Sequence, residues 1–206
     1  MEVKVAQSSQ NPRHLDVYIK DEFIKTVDKS LYRRHLKDIH NVRDVKRDLA
    51  RLERKISLNY TLFLLGRRAY SSYEISKKLK EKLISQASIE ESLRKCSHYI
   101  SDEDVIASII RVESSKGKGK RAIMNKLSQR LGKKRDELDG WLEAHCSEDS
   151  ELERAISIAT KKFRKLLTFE EKGKAIRFLV GRGFSYQIAK EALFRSQHVL
   201  DSEGME

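Results

Sequence analysis

From Leu15 to Ile19 the apolar positions alternate. Leu15, Val17 and Ile19 are separated by polar neighbours, and Phe23, Ile24, Thr26 and Val27 follow Asp21-Glu22. Alternation is the period of a half-buried strand. A β-hairpin with its turn at Asp21-Glu22 is therefore expected. A lone hairpin is not stable in water, so it must pack on helices. From Ser30 onward the period lengthens to three and four. Asp28 or Ser30 can cap a short helix through Leu36. A long helix is expected from Val42 to Gly66, with Leu49, Leu52, Ile56, Tyr60, Phe63 and Leu64 on its apolar face. Its other face carries Arg43, Lys46, Arg47, Arg51, Arg54 and Lys55.

After that helix the pattern repeats. Ser71 to Glu74 reads as a capping box, in which the serine accepts from the backbone three residues on and the glutamate reaches back. The signature recurs at Ser88–Glu91 and, in weaker form, at Ser101–Asp104. "EISKKL" (Glu74–Leu79), "AIMNKL" (Ala122–Leu127) and "AIRFLV" (Ala175–Val180) align, each with isoleucine second and an apolar residue four on. Each follows a helix with basic residues near its end: Arg67 and Arg68, then Arg111, then Lys161 and Lys162. Each precedes a short amphipathic helix: Ile89–Leu93, Leu138–Leu142 and Ile188–Leu193. The period of about fifty residues describes stacked helical units.

The expected fold is thus mainly α: three tandem three-helix modules behind a short β-hairpin. The expected organisation is a disordered N-terminus over 1–12, the hairpin and helices over 13–56, and modules over 57–99, 100–147 and 148–198. A tail over 199–206 completes it. Pro12 is the single proline among 206 residues, and glycine occurs nine times, which suits helix. The N-terminus has no basic start followed by an apolar run, so no signal peptide is expected. The longest apolar run is too short to cross a bilayer. Two cysteines, Cys96 and Cys146, make no disulfide framework, and a cytoplasmic location is expected.

Charge changes the picture more than composition does. Lys and Arg total 43 against 31 acids, a net charge of +12. An excess of this size points to a polyanion or an acidic protein surface.

Three stretches carry a family resemblance. "RAYSSYEI" (Arg68–Ile75), "KGKRAIMNKL" (Lys118–Leu127) and "FLVGRGFSYQI" (Phe178–Ile188) occur in order. They resemble the repeat motifs of RecX, the bacterial regulatory family that modulates the RecA recombinase. The second stretch departs most. Ile106-Ala107 stands where an aromatic usually precedes alanine, the glycine before the last helix of that repeat is displaced to Gly132, and the loop before "RAIMNKL" is unusually basic. The resemblance implies a non-catalytic regulator acting in DNA repair, recombination and the SOS response. It would bind the RecA filament and single- and double-stranded DNA, most simply as a monomer, and would block ATP turnover and strand exchange. It implies no cofactor.

The residues on their own supply a candidate surface. Between Arg111 and Arg135 ten basic residues face one acid, Glu113. They include Lys116, Lys118, Lys120, Arg121, Arg130, Lys133, Lys134 and Arg135. In "KGKGK" lysines alternate with glycines, which suits sequence-independent phosphate contact, or else forms a solvated connector. It is not a P-loop, because the spacing is wrong and no strand precedes it. With Arg67, Arg68, Lys161, Lys162 and Arg182 these cations make the candidate DNA- or filament-binding set. Directly after them, Asp136–Glu153 holds eight acids and no Lys or Arg. That block either reads a protein partner or offsets repulsion within the chain. Phe163, Tyr70, Tyr73, Tyr186 and Trp141 fit core positions, although Phe163 could also stack on a base. Cys96-x-His98 and His145-Cys146 do not have a standard zinc spacing. No nucleophile elbow, zincin motif or clustered carboxylate site occurs, so an enzyme is not expected. A general DNA- or RNA-binding repeat protein without a RecA partner is the alternative.

Overall fold

The computed structural model describes residues 3–35, 45–163 and 168–203. The expected helix start at Val42 with Arg43, and the expected helix end at Leu36, lie outside these residues. So do Arg164, Lys165 and the last three residues. The chain divides into two compact units, Met1–Asp102 and Glu103–Glu206.

The first unit opens with three strands rather than two: β1 (Val3–Gln7), β2 (His14–Ile19) and β3 (Glu22–Asp28). They form one antiparallel sheet in the order β1-β2-β3. The N-terminus expected to be disordered is thus a strand. Val3 pairs with Ile19 and Val5 with Val17, and both valines join the core. The alternation of Val3 and Val5 with polar neighbours is the signal that sets this register. The β2–β3 turn sits one residue earlier than expected. Lys20 and Asp21 hold positive φ of 48° and 61°, the two left-handed positions of a tight hairpin turn.

Asp28 ends β3 and caps α1 (Lys29–Tyr32), accepting from the backbone of Ser30 and Leu31. A 3₁₀ turn over Arg33–His35 follows. Then come α2 (Val45–Leu65), α3 (Ser72–Glu81) and α4 (Gln86–Lys95). The capping box at Ser71 and Glu74 forms as the sequence predicts. The box expected at Ser88–Glu91 does not. Ser85 stands at the start of α4, and Ser88 lies buried inside it. One core joins Leu15, Val17 and Val27 of the sheet to Leu49, Ile56, Ile75, Leu79 and Ile89 of the helices.

A buried polar cluster crosses that core. Glu53 accepts from Lys25 of β3, the Tyr32 hydroxyl, the Ser85 backbone and the Ser88 hydroxyl. Burial works to raise its pKa, but the Lys25 and Ser85 hydrogen bonds and the Lys25 charge outweigh it and hold Glu53 below the ordinary carboxylate value. Burial and then the Glu53 charge push the Tyr32 phenol upward, so it stays a neutral donor.

The second unit holds α5 (Asp102–Ser115), α6 (Lys120–Leu131), α7 (Asp139–His145), α8 (Glu148–Lys162), α9 (Phe169–Gly181) and α10 (Tyr186–Glu203). Helices α5 to α7 share a core of Val105, Ile109, Ile123, Leu127, Leu138 and Leu142. Helices α8 to α10 share a core built around Ala155, Ala159, Leu179, Phe184, Ala189 and Ala192. The alanines let α8 and α10 approach closely. The mainly helical fold with an N-terminal sheet is the one the periodicity predicts. Among the described residues no helix is long and apolar enough to cross a membrane.

Candidate binding surface

The loop between α5 and α6 is anchored by its backbone. Lys116, Gly117 and Lys118 donate back to Val112, Ser114 and Glu113. Gly119 N–H donates to the Arg182 carbonyl at 3.1 Å, and Arg121 N–H to that of Gly183 at 3.1 Å. A Cβ on Gly119 would lie 2.4 Å from Phe184 N, and one on Gly183 2.4 Å from Ala122 Cβ. Gly183 also holds φ of +96°. These glycines let two turns lie back to back, which is a different use from the phosphate approach that "KGKGK" suggests.

Arg182 serves the same junction. Its Nη1 donates to the carbonyls of Lys116 at 3.0 Å and Gly117 at 3.2 Å, and its guanidinium lies 5.2 Å from the Phe178 ring centroid. The start of α6 is satisfied from a distance. Gly119 provides no side-chain cap, and Lys120 N–H instead donates to Glu151 Oε1 at 2.6 Å. Glu151 is 2% exposed and belongs to the acidic block. Its charge suits the positive end of the helix.

The remaining cations divide by environment. Arg111, Arg121, Lys126, Lys133, Lys134 and Arg135 are exposed, whereas Lys118, Lys120 and Arg130 are half-buried. Lys116 is exposed but paired with Glu113 at 3.0 Å. Gly132 closes α6 in the left-handed region, with φ of 66°, so Lys133 and Lys134 leave the helix at its negative end. Arg121 and Arg135 meet at a cleft of about 310 Å³ with Asp139, Glu143 and Glu148. Arg135 also donates to Asn125 at 2.5 Å. Acids of the 136–153 block therefore lie against the basic segment. Lys116 and Lys161 line a second cleft, of about 430 Å³, with Arg154 and Ser157. Lys162 at the end of α8 sits 4.3 Å from the Phe178 ring centroid.

Arg67 and Arg68 lie in the first unit and take different roles. Arg67 is exposed, 5.4 Å from the Phe63 ring centroid. Arg68 stacks 3.7 Å from the Tyr70 ring centroid and bonds Glu74 at 2.9 Å, bracing the capping box.

The aromatic expectations hold in part. Tyr70 is buried, and Phe163 packs partly buried against Phe178 at 5.8 Å. Trp141 is not core. Leu138 and Leu142 fill that side of α7, leaving the indole 36% exposed and stacked on His145. Tyr73 and Tyr186 are exposed too. Sequence reasoning passed over Arg154, the first cation after the acidic block, and the exposed Phe169 and Phe194. Cys96 and Cys146 are buried free thiols whose pKa burial raises, so neither is an activated nucleophile. Among the described residues no group of three or more His, Cys, Asp and Glu could hold a metal.

Comparison with known proteins places these elements. The family model for the first three-helix domain of RecX matches residues 58–96, and that for the third matches residues 148–193. Regulatory protein RecX of Actinobacillus pleuropneumoniae is 31% identical over 133 residues, covering 62% of this chain and 84% of that protein. Its counterpart in Vibrio vulnificus is 34% identical over 136 residues, covering 63% and 86%. The crystal structure of RecX from Lactobacillus salivarius superposes with a TM-score of 0.60 at 20% identity, over 73% of this chain and 97% of that one. A further crystal structure of regulatory protein RecX gives 0.57 at 19% identity, over 91% and 96%. The chain belongs to the RecX family of non-catalytic regulatory proteins.

Proposed function

We propose that this protein binds the RecA–DNA filament, using the exposed cations around α6 for phosphates, and inhibits ATP turnover and strand exchange in DNA repair and recombination. The observation that supports this most is the run of exposed Lys126, Lys133, Lys134 and Arg135 on and just after α6. Mobile cations at a helix end suit a phosphate backbone without reading its sequence. Anchoring of the preceding loop by Arg182, Gly119 and Glu151 fixes the start of α6, and Gly132 closes its far end just before Lys133 and Lys134. The mechanism is docking by charge followed by restraint of the subunit movements that accompany ATP turnover. The acids beside Arg121 and Arg135 favour a mixed protein-and-DNA surface over a purely DNA-coating one.

The test is binding to RecA filaments on single-stranded DNA across a salt series. Binding weakens steeply with salt. The triple charge reversal Lys126→Glu, Lys133→Glu, Lys134→Glu lowers the log–log salt slope by about three. Equal affinity for DNA with and without RecA contradicts the filament reading and favours a general nucleic-acid module. An unchanged slope in the variant removes α6 from the interface.

A further inference from the structure

Helices α9 and α10 leave between them an open apolar groove of about 480 Å³. Phe169, Tyr186 and Phe194 form its walls, and Ile176 and Leu193 its floor. These three rings are 93%, 62% and 60% exposed. Large aromatics gathered at one groove and left in water mark a docking site. Its lining cations are Lys172 and Lys190, and no carboxylate lines it among the described residues. We infer that this groove docks an acidic protein segment that inserts a large apolar side chain between the rings while its carboxylates meet Lys172 and Lys190.

Charge and floor chemistry together select that occupant. The lysines favour an anion, and the aliphatic floor of Ile176 and Leu193 suits an apolar side chain better than the polar edge of a nucleobase, with Gln197 and His198 also in the lining. An amphipathic acidic peptide satisfies both, with apolar anchors inside and charges on the rim. The inference stands apart from the filament proposal, which rests on the cations around α6.

The experiment uses the full chain and a fluorescein-labelled peptide in which a central phenylalanine is flanked by aspartates and glutamates. Anisotropy reports binding. Peptides with the phenylalanine replaced by alanine, or the acids by lysines, serve as controls. The labelled peptide is expected to bind at least about tenfold tighter than either control, and Phe169→Ala and Lys190→Glu each to weaken it about tenfold. Both positions are exposed, so the thermal midpoint stays unchanged, which separates docking from misfolding. Lys133→Glu with Lys134→Glu leaves peptide binding intact, so failure of this inference and failure of the filament proposal are distinguishable. Three results overturn it. The peptide can bind no better than its controls. Oligothymidylate can displace it with the same variant dependence, which assigns the groove to nucleic acid. Self-association abolished by Phe169→Ala would assign the groove to a second copy of the chain.

Discussion

At the scale of single residues, two positions decide whether each unit holds together. Glu53 in α2 receives hydrogen bonds from a strand, from α1 and from the start of α4. Glu53→Ala leaves Lys25 and the Ser85 backbone without their shared acceptor and is expected to cost about 3 kcal/mol. Urea unfolding of the wild type and the variant measures it. The pH dependence has a definite sign. Glu53 is held below its ordinary value, and so is Asp28: there burial opposes, but hydrogen bonds from Ser30 and Lys82 and the Lys82 charge prevail. The unfolded chain therefore binds these protons more readily, and stability rises with pH through that range. Their contribution is complete above about pH 5 and is lost as pH falls through the lowered folded values. The urea midpoint of Glu53→Gln should fall less steeply than that of wild type between those limits. In the second unit, Gly119→Ala places a methyl group against the Gly183–Phe184 backbone. About 2 kcal/mol of destabilisation is expected, read as a lower thermal midpoint.

At the scale of elements, the junction of the α5–α6 loop with the α9–α10 turn shows how far sequence reasoning reaches. "KGKGK" and the "RGF" turn each stand out in the sequence, but their contact spans more than sixty positions, and local periodicity carries no information at that range. Glycine next to lysine fits phosphate contact and fits close backbone packing equally well, and only the approach of Gly183 to Gly119 separates them. Arg182 is expected to act inward for the same reason: Arg182→Ala should cost about 1–2 kcal/mol of stability in this unit by releasing two carbonyls. A loss of binding with an unchanged thermal midpoint would contradict that role. Elements set by local chemistry were legible. The Ser71 capping box, the long helix α2 and the alternation in β2 all form, although Phe63, expected on the apolar face of α2, is 55% exposed. The first strand was masked by polar composition, although Val3 and Val5 carry its alternation. In the candidate surface the exposed cations were legible as charge, whereas the capping of α6 by Glu151 depends on tertiary placement.

At the scale of the whole molecule, a net charge of +12 on a repeat protein of helices fits association with a polyanionic assembly. The acidic block tempers that charge locally, with Glu151 inside the fold and Asp139, Glu143 and Glu148 beside Arg121 and Arg135. Family membership supplies the regulatory role, and the binding proposed for the exposed cations around α6 would give it a physical means. The measurement that tests this most directly is RecA ATP hydrolysis on an excess of single-stranded DNA, with this protein titrated in. The account predicts inhibition at amounts far below the free DNA sites, relieved by the triple charge reversal at Lys126, Lys133 and Lys134. Inhibition only when the protein approaches saturation of the DNA, or equal inhibition by the variant, would contradict it.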